Sequence, residues 1–298
     1  MKAKTIKQVL RKRCDAWLAT IEDQALRKDL EQGVIITGGC IASMLLREPI
    51  QDFDVYFRNK DLAARAALYY AGRFSKTSEM VPVIKVLVLE DRVRLVVQSA
   101  GVAGVDGSVA NRYYESDTDG VAAAEYVKSQ LDEAEQTEKD QGKYQPVFLS
   151  ANAITLSNKL QLVIRFFGEP DEIHANYDFA HCLSYWTSWD NQLVLRPAAL
   201  EALLARELRY IGSRYPLCSI IRTRKFIARG WTINAGQYLK MCYQLNALDL
   251  TNLHVLEDQL TGVDTAYFMQ MIDIMRKVTE QGQIIDDTYL AEVVDRLF

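Results

Sequence analysis

No run of eighteen apolar residues occurs in this 298-residue chain, which excludes a transmembrane helix. Proline (6) and glycine (15) are scarce, so a low-complexity linker protein is excluded as well. No C-x-x-C pair exists: Cys14, Cys40, Cys182, Cys218 and Cys242 are scattered, and an odd count suits reduced thiols. The first residues, Met1 to Trp17, are charged throughout and lack the apolar core of a signal peptide. These absences predict a cytoplasmic protein with no membrane partner. The net charge is −4, so any contact with a polyanion must come from a local patch. No P-loop, no G-x-G-x-x-G, no Ser-His-Asp signature and no repeat of 20–50 residues is visible. What remains is 49% hydrophobic and 25% charged, an ordinary globular composition, at about twice the usual domain length of ~150 residues.

Apolar residues at three- and four-residue steps (Ile6, Val9, Leu10, Trp17, Leu18, Ile21) predict one amphipathic helix over 5–31. Val34–Ile36 predicts a short strand, 40–46 a helix ending before Pro49, 52–57 an alternating strand, and 61–72 a helix. Two runs around Glu90-Asp91 predict a hairpin within 81–98. Residues 99–144 begin loosely with glycines, and 115–141 carry nine acids against Lys128 and Lys139. That insertion is either a solvated, mobile segment or an acidic arm for a partner. Strands return at 146–149, 154–156 and 160–166, the last with Leu160, Leu162, Ile164 and Phe166 on one face. From Ala198 onward about six helical segments follow. The expected fold class is α+β, a mixed sheet with flanking helices over 1–195 and an all-helical part over 196–298.

The stretch that carries chemistry is Gly38-Gly39, twelve further residues, then Asp52-Phe53-Asp54. On a strand Asp52 and Asp54 point from one face while Phe53, Val55 and Phe57 point from the other. Paired carboxylates repel, and a divalent cation with oxygen ligands, Mg²⁺ above all, resolves the conflict. Gly-Gly lets backbone N–H groups approach an anion, and the helix behind it offers a positive N-terminus. The alternative is two exposed acids on an edge strand.

This pattern across 34–57 resembles the DNA polymerase beta-type nucleotidyltransferase superfamily, which includes CCA-adding enzymes, poly(A) polymerases and antibiotic nucleotidyltransferases. The stretches 152–157 and 177–181 are similar to uncharacterised proteins of tailed phages, so the compartment becomes the host cytoplasm if the gene is a phage's. The first resemblance implies a nucleotidyltransferase-type sheet and transfer of a nucleotide from an NTP to an acceptor hydroxyl with release of pyrophosphate. It implies Mg²⁺, with Mn²⁺ an alternative, held by Asp52, Asp54 and a third carboxylate. Asp178, between Tyr177 and Phe179, best matches that third ligand, and a buried Asp capping a turn is its other reading. Gly38 and Gly39 would position the triphosphate. The family's usual Gly-Ser is replaced here by Gly39 and Cys40, and Ser43 stands one helical turn later as a substitute.

Residues 193–230 carry eight Arg or Lys against Glu201 and Glu207. As a helix over 216–229, Arg222, Lys225 and Arg229 share one face. Leu217, Ile220, Ile221 and Ile227 share the opposite one, with Arg224 in its middle. The basic face either holds triphosphate or an RNA backbone, or is solvated with Arg224 paired internally. His174 and His181 flank Asp178 without zinc spacing, and His181 is a contact to the site or a satisfied structural histidine. Tyr185, Trp186 and Trp189 stack on a base or fill the core. An RNA 3′ end is the first choice of acceptor, a protein hydroxyl or small molecule the second. A binding or assembly module on an inactive fold of this type is the non-enzymatic alternative.

Overall fold

The computed structural model describes residues 1–77, 83–98, 143–150, 152–250, 252–260, 274–278, 280 and 287–297. The acidic insertion expected over 99–144 therefore lies outside the described residues, apart from its last two. Contacts divide the chain into two units, with the described residues up to Leu204 in the first and those from Ala205 in the second.

The first unit opens with helices α1 (Ala3–Leu18) and α2 (Gln24–Glu31). Strand β1 (Val34–Thr37), helix α3 (Gly39–Leu46), strand β2 (Phe53–Phe57) and helix α4 (Lys60–Thr77) follow. Strands β3 (Val83–Val88) and β4 (Val93–Gln98) form a separate antiparallel hairpin. The main sheet is completed by β5 (Pro146–Leu149), β6 (Ala153–Leu156) and β7 (Leu160–Phe167). After the short helix α5 (Pro170–His174) come a 3₁₀ turn over Ala180–Cys182 and strands β8 (Tyr185–Thr187) and β9 (Leu193–Val194). The seven strands run in the order β5-β6-β7-β2-β1-β8-β9, and only β2 and β7 are parallel. The fold class is the expected one, α+β with flanking helices. No helix of the described residues is long and apolar enough to cross a membrane.

One face of the sheet carries Phe53, Val55, Phe57, Leu160, Leu162 and Ile164 into a core shared with Ile6, Leu10 and Trp17 of α1 and Tyr70 of α4. Trp17 Nε1 donates to the Tyr70 hydroxyl at 2.7 Å inside that core, as a buried indole must. The single helix expected over 5–31 is two. Asp23 caps α2 by accepting from the Leu26 N–H at 2.9 Å; that capping bond favours a new helix start over continuation. Phe166 also departs from expectation. Val55 pairs with Leu162 but Phe57 pairs with Phe167, an irregularity that places three extra residues on β7. An odd shift flips the pleat, so Phe166 joins the cluster of Ile35, Tyr56 and Ile173 on the other face.

The second unit is helical: the end of α6 (Pro197–Ala205), then α7 (Pro216–Ala228), α8 (Ala235–Leu245), α9 (Leu253–Leu260) and α10 (Asp287–Leu297), with a helical stretch at 274–278. Leu256, Met275 and Val293 form its core, with Leu217 and Ile221 against them. Arg224 is exposed, Ile227 is 47% exposed, and the buried side of α7 is Pro216, Cys218, Ser219 and Thr223. Of the expected aliphatic face, Leu217 and Ile221 pack against that core, whereas Ile227 and Arg224 are exposed. The hydroxyls can be buried because they back-bond within the helix, Ser219 to the Tyr215 carbonyl at 3.1 Å and Thr223 to that of Ile220 at 2.6 Å.

Candidate functional site

The turn from β1 into α3 sets the geometry. Gly38 has φ +91° and ψ −151°, a backbone that side-chain-bearing residues rarely adopt. A Cβ there would stand 2.9 Å from Asp54 Oδ2 and 3.5 Å from the Tyr177 hydroxyl. A carboxylate and a phenol therefore reach the backbone at the head of α3 because position 38 has no side chain. The strand register explains the first: Thr37 lies opposite Asp54 across β1 and β2. An anion at a helix N-terminus is favoured by the unpaired N–H groups there. At Gly39 an added Cβ would meet nothing within 4 Å, so this position is open.

Asp54 is half-buried and alternates along β2 with the core residues Phe53 and Val55, and Asp52, just ahead of the strand, is exposed. Both act on Cys40, whose buried thiol is pushed well above 9, first by burial, then by Asp54 and Asp52. The thiol also lies 3.7 Å from the Thr37 carbonyl. Held neutral, it is no nucleophile. Ser43 is half-buried one turn further along α3, where its carbonyl accepts from the Glu48 N–H at 2.9 Å.

A buried polar knot holds the segments after α5 against β1. Thr37 Oγ1 lies 2.8 Å from His174 Nε2, 3.0 Å from the Ser184 carbonyl and 3.3 Å from the Cys182 carbonyl. Thr37 has one proton to donate among these partners, and the His174 tautomer decides which of them receives it. Burial, then Arg196, pulls the His174 pKa down to about 4, with Asp171 opposing. The Tyr177 ring packs 5.0 Å from His174 and 6.1 Å from Tyr56, centroid to centroid. Its hydroxyl is buried and makes no well-formed hydrogen bond among the described residues, with the Tyr56 side chain a polar neighbour. Burial first, then Tyr56 and Asp54, raises its pKa well above 10. It is a permanent donor beside Asp54.

Asp178 stands on a bend, not on a strand, and its charge opposes the burial that lowers the His181 pKa to about 4. Among the described residues no three His, Cys, Asp or Glu side chains converge as a metal-holding group. Beside Asp54 on the parallel strand β7 is Gln161. Mg²⁺ needs only one or two carboxylates when waters and substrate phosphates complete its shell. Asp52 and Asp54 offer hard oxygens of the kind that would hold such an ion, next to a glycine-opened helix head that suits its phosphate partners. Trp186 is fully buried and Trp189 lies under Arg58 at 4.5 Å, so both are structural. Arg222, Lys225 and Arg229 are exposed at α7 and just beyond it, in the second unit. Tyr177 and Thr37 carry no sequence signal of their own beyond standing next to Asp178 and Gly38. His174, which the sequence places near Asp178 without zinc spacing, packs against Tyr177 and Thr37.

Residues 8–206 match the family described as Gabija anti-defense 2 family protein. A relative in Bacillus phage SPbetaL7, "Gabija anti-defense 2", is 20% identical over 151 residues, 47% of this chain and 38% of the relative. The match thus spans well under half the length of that relative. Among solved structures, a CCA-adding enzyme with CTP has a TM-score of 0.42 at 13% identity, covering 87% of this chain and 46% of that one. The Thermotoga maritima CCA-adding enzyme complexed with tRNA gives 0.40 at 12%, covering 96% and 68%. The CCA-adding enzyme of Bacillus stearothermophilus with CTP gives 0.36 at 12%, covering 79% and 47%.

Proposed function

The chain belongs to the Gabija anti-defense 2 family, and from that premise we propose that its first unit is a metal-dependent nucleotidyltransferase. It moves a nucleoside monophosphate from an NTP to an acceptor hydroxyl. The observation that carries this reading is the meeting of Asp54 and the head of α3 at a side-chain-free Gly38, with Asp52 two residues ahead of Asp54. The backbone N–H groups that follow Gly38 and Gly39 receive the triphosphate. Asp52 and Asp54 supply oxygens to Mg²⁺ or Mn²⁺, which when bound neutralises phosphate charge and lowers the pKa of the attacking hydroxyl. The Tyr177 hydroxyl, held as a donor, orients Asp54 or a phosphate oxygen. In the transfer a bond forms between the acceptor oxygen and the α-phosphorus, the bond to the β-phosphate breaks, and pyrophosphate leaves.

We take an RNA 3′ end as the first acceptor, with Arg222 and Lys225 holding phosphates. A protein hydroxyl follows as the second choice, and in either case the target belongs to the defence for which the family is named. The reaction then takes place in the cytoplasm of the phage's host. A second reading, a binding module on an inactive copy of the fold, is favoured by Gln161 where a third acid would neighbour Asp54 and by Gly39-Cys40 in place of Gly-Ser. The test is incubation with each α-labelled NTP, Mg²⁺, total RNA and host-cell protein, followed by separation of labelled RNA from labelled protein. Label that appears in one fraction and vanishes with Asp54→Asn supports the enzyme; no label with any NTP supports the module.

A further inference from the structure

We propose a second anion site in the first unit: the groove between α1 and the β8–β9 turn binds a nucleic-acid backbone through its phosphates. Residues 1–13 hold six cations (Lys2, Lys4, Lys7, Arg11, Lys12, Arg13) and no acid, in a chain whose net charge is −4. Lys4, Lys7, Gln8, Arg11, Lys12 and Asn191 line a concavity there, with Asp15 at one end. Helical spacing explains the first five: positions 4, 7, 8, 11 and 12 fall on one face, while Ile6, Leu10 and Cys14 face the core.

Three observations point to a ligand. First, Lys2 and Lys4 sit at the wrong end of the helix for stability. No acid lies in the first turn of α1, and its cap residue Lys2 makes no capping bond; cations near a helix N-terminus oppose the macrodipole. Second, the groove is partly prebuilt. Arg11 pairs with Asp15 at 3.0 Å and donates to the Ser188 carbonyl at 2.8 Å, which ties the helix to the turn. Asn191, at φ +52°, accepts from Trp186 Nε1 through Oδ1 at 2.9 Å, so its amide N–H groups stay available. Third, Lys4, Lys7 and Lys12 pair with no acid among the described residues.

The occupant follows from size and composition. Lys4 to Lys12 spans about 12 Å at 1.5 Å per residue, longer than one phosphate, so the ligand is polymeric. No aromatic side chain lines the groove, so base stacking, the usual grip on single strands, is not offered. A duplex backbone held without base readout is the match.

The experiment measures polarisation of two labelled 24-base-pair duplexes of unrelated sequence, titrated with the full chain between 50 and 300 mM salt. Four phosphate contacts predict a log–log slope of about −3.6, equal for both duplexes. Lys4→Glu/Lys7→Glu/Lys12→Glu should flatten it by about 2.7 and weaken binding more than tenfold at low salt, at unchanged melting temperature. The corresponding triple arginine variant should bind as the parent does, and so should Asp54→Asn, which separates this groove from the proposed transfer site. Unchanged affinity in the glutamate variant overturns the proposal. So does equal competition by polyglutamate, which would mean an acidic protein partner, or a strong preference for one duplex.

Discussion

The two faces of the seven-stranded sheet are built from alternate residues of the same strands, yet they obey opposite rules. On one face Phe53, Val55 and Phe57 are almost fully buried beneath four helices. On the other Asp54 is half-buried, with Asp52 exposed just ahead of the strand, and Tyr177 presents a buried hydroxyl that makes no well-formed hydrogen bond. The first face is satisfied, apolar and stabilising. The second carries like charges and an orphaned donor, each a cost that a cation and a phosphate would offset. Stability and chemistry are thus divided across the thickness of one strand.

The sharpest way to break this comparison is substitution at two positions three residues apart on β2, one on each face. Asp54→Ala should abolish nucleotide transfer, a loss of roughly a thousandfold or more if charge neutralisation is worth several kcal/mol, while the thermal midpoint stays or rises. Retained turnover at saturating Mg²⁺ would remove Asp54 from the site. Phe57→Ala should do the reverse, costing about 3–5 kcal/mol of stability by denaturant melting. Any transfer activity of the fraction still folded should be near normal. A merely marginal shift in the midpoint would mean that this face is not the core.

A third difference is in pH response. His174 and His181 titrate near 4 when folded and near 6.5 unfolded. The unfolded chain therefore takes up protons first, so their contribution is complete above pH 6.5 and is lost as pH falls toward 4. The loss should approach about 3 kcal/mol per histidine. His174→Gln should shrink the acid sensitivity measured by melts between pH 7 and 4; an identical pH profile would place His174 outside the buried knot.

The smallest effect is the most specific. Tyr177→Phe removes a buried hydroxyl that has the Tyr56 side chain as a polar neighbour and makes no well-formed hydrogen bond, so stability should change by no more than about 1 kcal/mol. If that hydroxyl serves the site, transfer should still fall, with the loss in kcat exceeding any change in KM. Equal activity in the two proteins would leave Tyr177 a packing residue.

Much of the first face was legible from residue order alone. The alternation of Phe53, Val55 and Phe57 with Asp52 and Asp54 is a local pattern, and the strand reads from it directly. The Gly38-Gly39 turn was legible for the same reason, since few residues but glycine adopt its backbone. Where reading failed, a competing local bond or a distant pairing had intervened. Asp23 capped a new helix start inside an uninterrupted apolar pattern, and an irregularity in β7 turned Phe166 to the other face. On α7, back-bonding let Ser219 and Thr223 be buried beside Cys218, while Arg224 and Ile227 stayed exposed.

The site divides in the same way. Residue order alone placed Asp54 on β2 opposite the core-facing residues, Asp52 two positions ahead of it and a glycine pair before both, because side-chain period and backbone freedom act between near neighbours. Only the tertiary structure decided what stands beside them. The parallel pairing of β2 with β7 brings Gln161 next to Asp54, and the knot around Thr37 swings Tyr177, not Asp178, to the glycine. Contacts between residues a hundred or more positions apart are chosen by packing and by which buried polar groups can be satisfied, and no local pattern records that choice.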